Sequence, residues 1–367
     1  MDKLTIRRPD DFHVHVRQGV PAQTLVCFTA KTFGRATIMP NTSPPIRIVA
    51  EAQIYRDALL DATRDDYPWF EPMMTLYLTD ETTPNDIRLA AECPWLIGAK
   101  LYPAGATTNS TQGVTRIEKG APIWRTLQEM EGYGLPLLIH GEMAEGDVFD
   151  RERAFIEREM ALIVGGCSDL KVVLEHITTR AAVEYVLALH GYGLPVAATI
   201  TPHHLLIDRN DLLADGLKPH NYCKPIVKRA DDREALVLAA TTGFPCFFAG
   251  TDSAPHPQDS KESHCCAAGC FTAPHAVELY AEVFERAGKI DKLEAFLSEH
   301  GANFFGLPLN EGTITLERRP RKVEADVMAF VIPTTIPHDP KKSYRLLPFG
   351  DGMELQWLEV SDCPWLD

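Results

Sequence analysis

The sequence lacks the features that mark a membrane protein, a secreted protein or a nucleotide-binding protein. No apolar run approaches the roughly 20 residues that a membrane span requires, and the N-terminal residues MDKLTIRRPDDFHVHVR contain no apolar core of a signal peptide. There is no GxxxxGK[ST] phosphate loop, no GxGxxG dinucleotide fingerprint and no GxSxG nucleophile motif. We therefore predict a soluble, cytoplasmic protein whose chemistry depends on none of these motifs.

Basic residues are the minority among the charged side chains. The chain has 36 Lys and Arg against 51 Asp and Glu, which gives a formal net charge of −15. A surface of this charge repels polyphosphates and anionic lipids, so we expect neither nucleic acid nor a membrane as a partner. A small anionic substrate would need local positive charge at its site, from a metal ion or an arginine.

Paired cysteine motifs are also missing. The nine cysteines are scattered, their number is odd, and no CxxC occurs, which favours reduced thiols in the cytosol. The segment His264–Cys270 (HCCAAGC) resembles a zinc motif at first sight. Adjacent cysteines are poor chelators of one ion, however, and no second ligand pair is near in the sequence, so we predict free thiols in a loop close to the active site.

What the sequence contains is an alternation of short apolar runs and longer segments with helical periodicity, punctuated by Gly and Pro. Eight such strand–helix units in succession predict a (β/α)8 barrel, with a doubly wound sheet as the alternative. We place the barrel domain at residues 1–304 and a C-terminal extension packed on it at 305–367. The predicted barrel strands are Asp11–Val16, Ala36–Met39, Met73–Leu78, Leu96–Leu101, Leu137–His140, Lys171–His176, Val196–Ile200 and Cys246–Thr251, and the extension has strand-like segments at Thr313–Leu316, Asp326–Ile332 and Met353–Val360.

Almost every predicted barrel strand ends in a polar residue. Because the carboxyl ends of parallel barrel strands meet at one rim, these side chains are expected to converge there. The first strand ends in His13-Val14-His15-Val16-Arg17, where alternation directs both histidines and the arginine to one face. Two imidazoles at this spacing can bind one cation, although such a pair alone also occurs on ordinary edge strands.

The other strand ends supply further candidates. Lys100 follows apolar residues, so burial would lower its pKa and leave a free amine able to form a carbamate with carbon dioxide. His140 and His176 each close an apolar strand and suit a second metal ion. Asp252 follows the last strand and could ligate a metal or transfer a proton. Taken singly, each has an ordinary structural alternative: an ion-paired lysine, a hydrogen-bonded histidine or a helix-capping aspartate. His203 and His204 are interpreted as residues near the site or on the surface.

These residues occur in motifs that resemble those of the amidohydrolase superfamily, and within it the dihydroorotases of the PyrC type (class II). The resemblance covers most of the chain. The matching motifs, in order, are HVHVR, MPN (39–41), GAKLYP (98–103), LLIHGE (137–142), LEHITT (174–179), NYCKPI (221–226), GTDSAPH (250–256) and AGCFTAP (268–274).

The resemblance implies a zinc-dependent cyclic amidohydrolase that interconverts N-carbamoyl-L-aspartate and L-dihydroorotate in pyrimidine (UMP) biosynthesis, and it implies a homodimer. It implies two Zn²⁺ ions bridged by carboxylated Lys100 and a hydroxide, with His13, His15 and Asp252 on one ion and His140 and His176 on the other. Asp252 would be the catalytic acid and base. The residues implied in substrate binding are His15, Arg17, Asn41, His140, Lys224, His256 and Ala268, with Thr107 and Thr108 on a loop over the substrate.

Two alternatives remain at this stage. Hydantoinases, allantoinases and longer dihydroorotases share the barrel and the HxH pair, but they usually carry about 50 further residues before it, and His13 stands early in this sequence. A non-catalytic relative serving as an assembly partner would be expected to have lost ligands, whereas all six are present. One residue departs from the family pattern: Lys224 stands where an apolar residue is expected, which puts its side-chain environment in doubt but not a backbone contact.

Overall fold

The fold is built around eight short parallel strands whose side chains are almost all buried. The structure is a computed structural model that describes residues 2–325, 330–333 and 343–360. The strands are β1 (Lys3–Arg7), β2 (Asp10–Val14), β3 (Arg35–Ile38), β4 (Glu71–Tyr77), β5 (Leu96–Leu101), β6 (Leu137–His140), β7 (Val172–Glu175), β8 (Val196–Ile200), β9 (Phe247–Ala249), β10 (Thr313–Lys322), β11 (Phe330–Pro333), β12 (Ser343–Leu346) and β13 (Glu354–Glu359).

Helices follow most of the barrel strands. The α-helices are α1 (Val20–Thr32), α2 (Val49–Thr63), α3 (Pro84–Ala91), α4 (Pro122–Tyr133), α5 (Arg151–Phe155), α6 (Ala161–Gly166), α7 (Arg180–Gly191), α8 (Pro202–Leu206), α9 (Arg209–Leu213), α10 (Ala230–Thr241), α11 (Gln258–Lys261), α12 (Ala276–Arg286) and α13 (His300–Phe305). Pro219–Asn221, Ala273–His275 and Ile290–Lys292 are 3₁₀ turns, and Ile156–Met160 and Ala295–Glu299 are π-helical. None of the helices in the described ranges is both long and apolar enough to cross a membrane.

The predicted barrel is confirmed. Strands β2 to β9 form one parallel sheet in strict chain order, whereas a doubly wound sheet would reverse its order at a switch point. That alternative is therefore wrong. The strands read as near-continuous apolar runs because one face lines the barrel interior and the other is covered by helices.

The first and last barrel strands are joined at the end where the candidate site lies. The N–H of Asp252 donates to the carbonyl of His13 at 2.8 Å, and the N–H of His15 donates to that of Ser253 at 3.0 Å. The buried carboxylate of Asp11 adds a side-chain connection, because it accepts from the N–H of His13 at 3.2 Å and from both the N–H and the hydroxyl of Thr251. Two segments that are about 240 residues apart in the chain are thus held in a fixed register.

The C-terminal segment forms a second, antiparallel sheet with order β1-β10-β13. Two of its predicted strands occur, Thr313–Leu316 as part of the longer β10 and Met353–Val360 as β13; of Asp326–Ile332, residues 326–329 lie outside the described residues and the remainder falls in β11. The pairing of β1 with β10, from Lys3↔Glu317 to Arg7↔Thr313, was not predicted. The division of the chain at residue 304 stays a prediction.

Candidate metal centre

Three predicted ligands from the joined strands meet at one point. Nε2 of His13 lies 3.2 Å from Nε2 of His15, and Oδ1 of Asp252 lies 3.5 Å from the first nitrogen and 3.2 Å from the second. Ligands about 2.0–2.1 Å from a tetrahedral zinc ion are about 3.3 Å apart, since a tetrahedron's edge is about 1.63 times its radius. These three atoms therefore have the spacing of ligands that share one ion.

His140 and His176 form a second pair on neighbouring strands. Nδ1 of His140 lies 3.3 Å from Nε2 of His176, and both side chains are buried. The other nitrogen of His140 is 3.1 Å from a carboxylate oxygen of Glu142. If that nitrogen carries the proton, Nδ1 keeps its lone pair for a metal ion, which is the usual arrangement of a metal-bound histidine.

Lys100 lies on β5 inside the barrel and has no exposed surface. Its ammonium nitrogen contacts the carboxylate of Glu175, and it stands 5.2 Å from the centre of the Tyr102 ring. Burial lowers the pKa of Lys100 well below its ordinary value. The neutral amine is consequently a larger fraction of the population than in a surface lysine, and only that form reacts with carbon dioxide.

Left-handed backbone conformations place several of these side chains. His176 and Asp252 both have φ of 44° and Arg17 has φ of 64°, values that non-glycine residues adopt rarely and that concentrate at functional sites. Successive strand residues normally face opposite sides. The turn at His176 breaks that alternation, so that Glu175 and His176 both reach the metal-ligand cluster.

Sequence reasoning missed Glu175 and Asp11. Glu175 is fully buried, with Oε1 3.0 Å from Nδ1 of His13. The signal for Glu175 in the sequence is an acidic residue at the end of an otherwise apolar strand. The signal for Asp11 is similar: it is an acidic residue in the buried strand that carries the HxH pair. A carboxylate is buried at such a position only when it has hydrogen-bond or charged partners.

Burial lowers the pKa of all four candidate histidine ligands. The shift is large for His13 and His176, and in His15 and His140 a neighbouring carboxylate, Asp252 and Glu142 respectively, partly opposes it. Neutral imidazole is the form that donates a lone pair to a metal ion. The site is therefore prepared to bind a cation at neutral pH.

The lowered pKa of His176 predicts a pH-dependent loss of stability in metal-free protein. Below about pH 6.5 the unfolded chain takes up a proton on this histidine that the folded chain does not, so folding becomes less favourable as the pH falls. Replacing His176 by Gln should remove this effect. We expect urea unfolding of the metal-free proteins to show wild type losing about 1 kcal/mol relative to His176→Gln between pH 7.5 and about 5.5.

The difference between the two proteins is the informative quantity. Asp11 and Glu278 have pKa values raised to about 7 by burial, and their protonation stabilises the fold in the same interval. These groups are common to both proteins and cancel. A difference in unfolding free energy that stays constant with pH would contradict the prediction.

The predicted substrate-binding residues lie beside the metal ligands. One cavity is lined by His13, His15, Arg17, Asn41, Tyr102, Thr107, Thr108, His140, His176, Lys224, Asp252, Ala254, Ala268 and Gly269. His256 lines the adjoining cavity, which shares His15, Arg17, Asn41 and Thr108 with the first. Twelve of the thirteen predicted site residues thus line these two cavities, and Lys100 is buried inside the barrel; their individual roles stay predictions.

Arg17 and Asn41 stand at the mouth of the site. Nε of Arg17 donates to the carbonyl of Pro255 at 2.8 Å, while one terminal nitrogen is buried without a hydrogen-bond partner. Asn41 donates to the carbonyl of Thr108 at 3.2 Å and accepts from Asn109 at 3.0 Å. The Thr107–Thr108 loop is therefore docked against the rim, with the free donor of Arg17 available to an anion.

His256 is not arranged as a carboxylate donor. Its Nε2 is 2.9 Å from the carbonyl of Ala268, and burial, followed by the charge of Arg17, lowers its pKa to about 2. A neutral ring that donates to this carbonyl has only a lone pair left on Nδ1. To hold a substrate carboxylate, His256 must gain a proton or give up its bond to Ala268.

Two neighbouring histidines prove to be interior residues. His203 and His204 are buried, which excludes the surface position and leaves the alternative that they lie near the site. Nδ1 of His204 is 2.8 Å from the hydroxyl of Thr201, and its Nε2 is 2.9 Å from the carbonyl of Pro225. These bonds fix the turn after β8. The predicted thiols are free in the described part of the chain, where Cys265 is exposed and Cys270 buried.

Comparison with known proteins agrees with this site. The sequence matches the amidohydrolase family model over residues 10–323. It is 49% identical over 366 residues to a dihydroorotase from Ralstonia nicotianae, covering 98% of this chain and 100% of the relative. The chain belongs to the dihydroorotases of the amidohydrolase family. Its recognition from the strand-end motifs is thereby confirmed.

Solved dihydroorotases have the same architecture. The structure from Saccharomyces cerevisiae, in complex with 5-fluoroorotic acid, aligns with a TM-score of 0.86 at 29% identity, covering 99% of both chains. The structure from Campylobacter jejuni aligns with a TM-score of 0.85 at 32% identity, covering 98% of this chain and 97% of the other. The family is metal-dependent, in keeping with the ligand clusters found here.

Proposed function

We propose that this chain catalyses the reversible cyclisation of N-carbamoyl-L-aspartate to L-dihydroorotate and water, with two Zn²⁺ ions per subunit. The activity follows from membership of the dihydroorotases. The observation that carries the two-ion centre is the presence of two groups of ligand atoms at zinc-like spacing, one of three residues and one of two, together with a fully buried lysine inside the same barrel.

In this proposal His13, His15 and Asp252 would hold one ion, and His140 and His176 would hold the other. Lys100, once carboxylated, would be a ligand shared by the two ions: in the carboxylation its amine nitrogen forms a bond to the carbon of carbon dioxide, the displaced π pair becomes an oxygen anion, and one N–H proton is released. When bound, zinc supplies Lewis acidity toward a carbonyl and a lowered pKa of water.

The protein groups then bind substrate and move the proton. In the hydrolytic direction, Asp252 takes the proton of the attacking water and delivers it to the departing ring nitrogen; in synthesis the transfers are reversed. Arg17 and Asn41 bind the substrate carboxylate, with His256 joining them if it gains a proton. Backbone groups near Lys224 and Ala268 contact the ring. The Thr107–Thr108 loop excludes water from the closed site.

The assay is direct. Zinc-loaded protein should open L-dihydroorotate, with loss of the ring absorbance, and should form it from N-carbamoyl-L-aspartate at lower pH. Turnover of a hydantoin or of allantoin in its place would favour the hydantoinase alternative. Lack of turnover with any of these substrates in zinc-loaded protein would favour the non-catalytic alternative.

Replacing Arg17 by Gln tests its part in binding. A charge-assisted hydrogen bond to a carboxylate contributes about 1.5–3 kcal/mol, so we expect KM to rise about 10–150-fold while zinc content stays at the wild-type value. The matched control is Arg116→Gln, at a solvent-exposed residue outside the cavity. An unchanged KM in Arg17→Gln would rule out this binding role.

Two further properties belong to the proposal. A homodimer is supported by the family resemblance and is testable by light scattering of the purified protein. A cytoplasmic location is supported by the unpaired cysteines of the described residues and is testable by cell fractionation.

A further inference from the structure

The structure contains a buried carboxylate that the proposed reaction does not use. We infer that Glu175 is a positioning residue, which orients His13 and Lys100 and thereby sets the affinity of the zinc ion bound by His13, His15 and Asp252. This inference rests on the zinc centre of the proposed function.

Glu175 connects three barrel strands at the base of the site. Its side chain, at the end of β7, has no exposed surface. Oε1 lies 3.0 Å from Nδ1 of His13 on β2, and Oε2 contacts the nitrogen of Lys100 on β5. A buried charge requires partners, and both partners in this case are groups that the proposal assigns to the metal centre.

The contact with His13 selects the form of the ring that can bind zinc. Nε2 faces His15 and Asp252, and must offer a lone pair. The proton of the neutral ring then has to be on Nδ1, the nitrogen that faces Glu175. A carboxylate at this distance favours that tautomer and restricts rotation of the ring.

The contact with Lys100 persists in both states of that lysine. The unmodified ammonium has Glu175 as its counter-charge. After carboxylation the nitrogen would retain one hydrogen, which Oε2 of Glu175 could accept. Glu175 also adds a third negative charge to those of Asp252 and the carbamate, which would help to balance the charge of two divalent cations.

Glu142 offers a matched comparison at the other ion. Its carboxylate is buried and lies 3.1 Å from Nε2 of His140. It thus has the same relation to a histidine of the second site that Glu175 has to His13, but no contact with Lys100 is formed. Isosteric amide variants of the two residues should therefore affect different ions.

The experiment compares wild type, Glu175→Gln and Glu142→Gln. Metal-free proteins are titrated with zinc in bicarbonate buffer against a chromophoric chelator, which gives the dissociation constants. Zinc anomalous scattering from crystals assigns each lost ion to its position. We expect Glu175→Gln to weaken the ion at His13 by about 10–100-fold, and Glu142→Gln to leave that ion's affinity unchanged.

Equal zinc affinities in Glu175→Gln and wild type, or loss of the same ion in both variants, would overturn the inference. If Glu175→Gln yields no folded protein by circular dichroism, Glu175→Asp decides the matter: it keeps the charge but is too short to reach both partners, so affinity at His13 should fall at least about threefold, and a wild-type value refutes the inference. Failure of wild type to bind two ions would instead refute the proposed zinc centre.

Discussion

Asp252→Asn is expected to lower kcat by about 10²–10⁴-fold in both directions of the reaction, because an amide cannot take and return a proton. The amide oxygen can still face His13 and His15, whose nitrogens lie 3.5 and 3.2 Å from Oδ1 in the native protein. Zinc content should therefore fall much less than activity. The measurement is steady-state kinetics together with metal analysis of the same preparation.

Asp57→Asn is the control for this substitution. Asp57 is an exposed residue of α2 that accepts a hydrogen bond from Gln53, so its replacement should leave kcat and zinc content at wild-type values. If Asp252→Asn with two bound zinc ions retained kcat within tenfold of wild type, another group would have to be the proton carrier.

Lys100→Met should have an effect of similar size for a different reason. Methionine has comparable length and fills the same buried space, but it has no amine to carboxylate. We expect at most one tightly bound zinc ion per chain and a loss of activity of at least about 10³-fold, because both ions are needed at the reacting carbonyl and water.

A spectroscopic measurement links this loss to the carbamate. Wild type equilibrated with ¹³C-bicarbonate should show a carbamate carbon signal that Lys100→Met lacks and that the control Lys218→Met, at an exposed position, retains. Two zinc ions and normal turnover in Lys100→Met would show that the bridge is dispensable.

Much of the barrel could be predicted because its strands are buried on both faces. Strands such as Leu137–His140 occur at the predicted bounds, because a short apolar run between helical segments is typical of a buried strand. Convergence of His13, His140 and Asp252 followed from the fold alone, because all parallel strands end at the same rim.

What could not be predicted depends on backbone conformation or on distant pairing. The alternation of side chains along a strand allows only one of Glu175 and His176 to face the barrel interior. The left-handed φ of His176, which brings both to the site, has no signal in the sequence. The hydrogen bond from Thr251 to the carboxylate of Asp11 joins residues about 240 positions apart, and the pairing of β1 with β10 joins residues about 310 positions apart. Such contacts are determined only when the whole barrel closes.

The three-stranded antiparallel sheet gives the C-terminal segment an indirect hold on the zinc ligands. β13 pairs with β10, β10 pairs with β1, and only two residues separate Arg7 from the start of β2, the strand that carries His13. Truncation of the chain at residue 304 would remove β10, leave β1 without its partner and make β2, the strand that follows it, less well held. Truncations remote from the rim should therefore be judged by zinc retention as well as by yield.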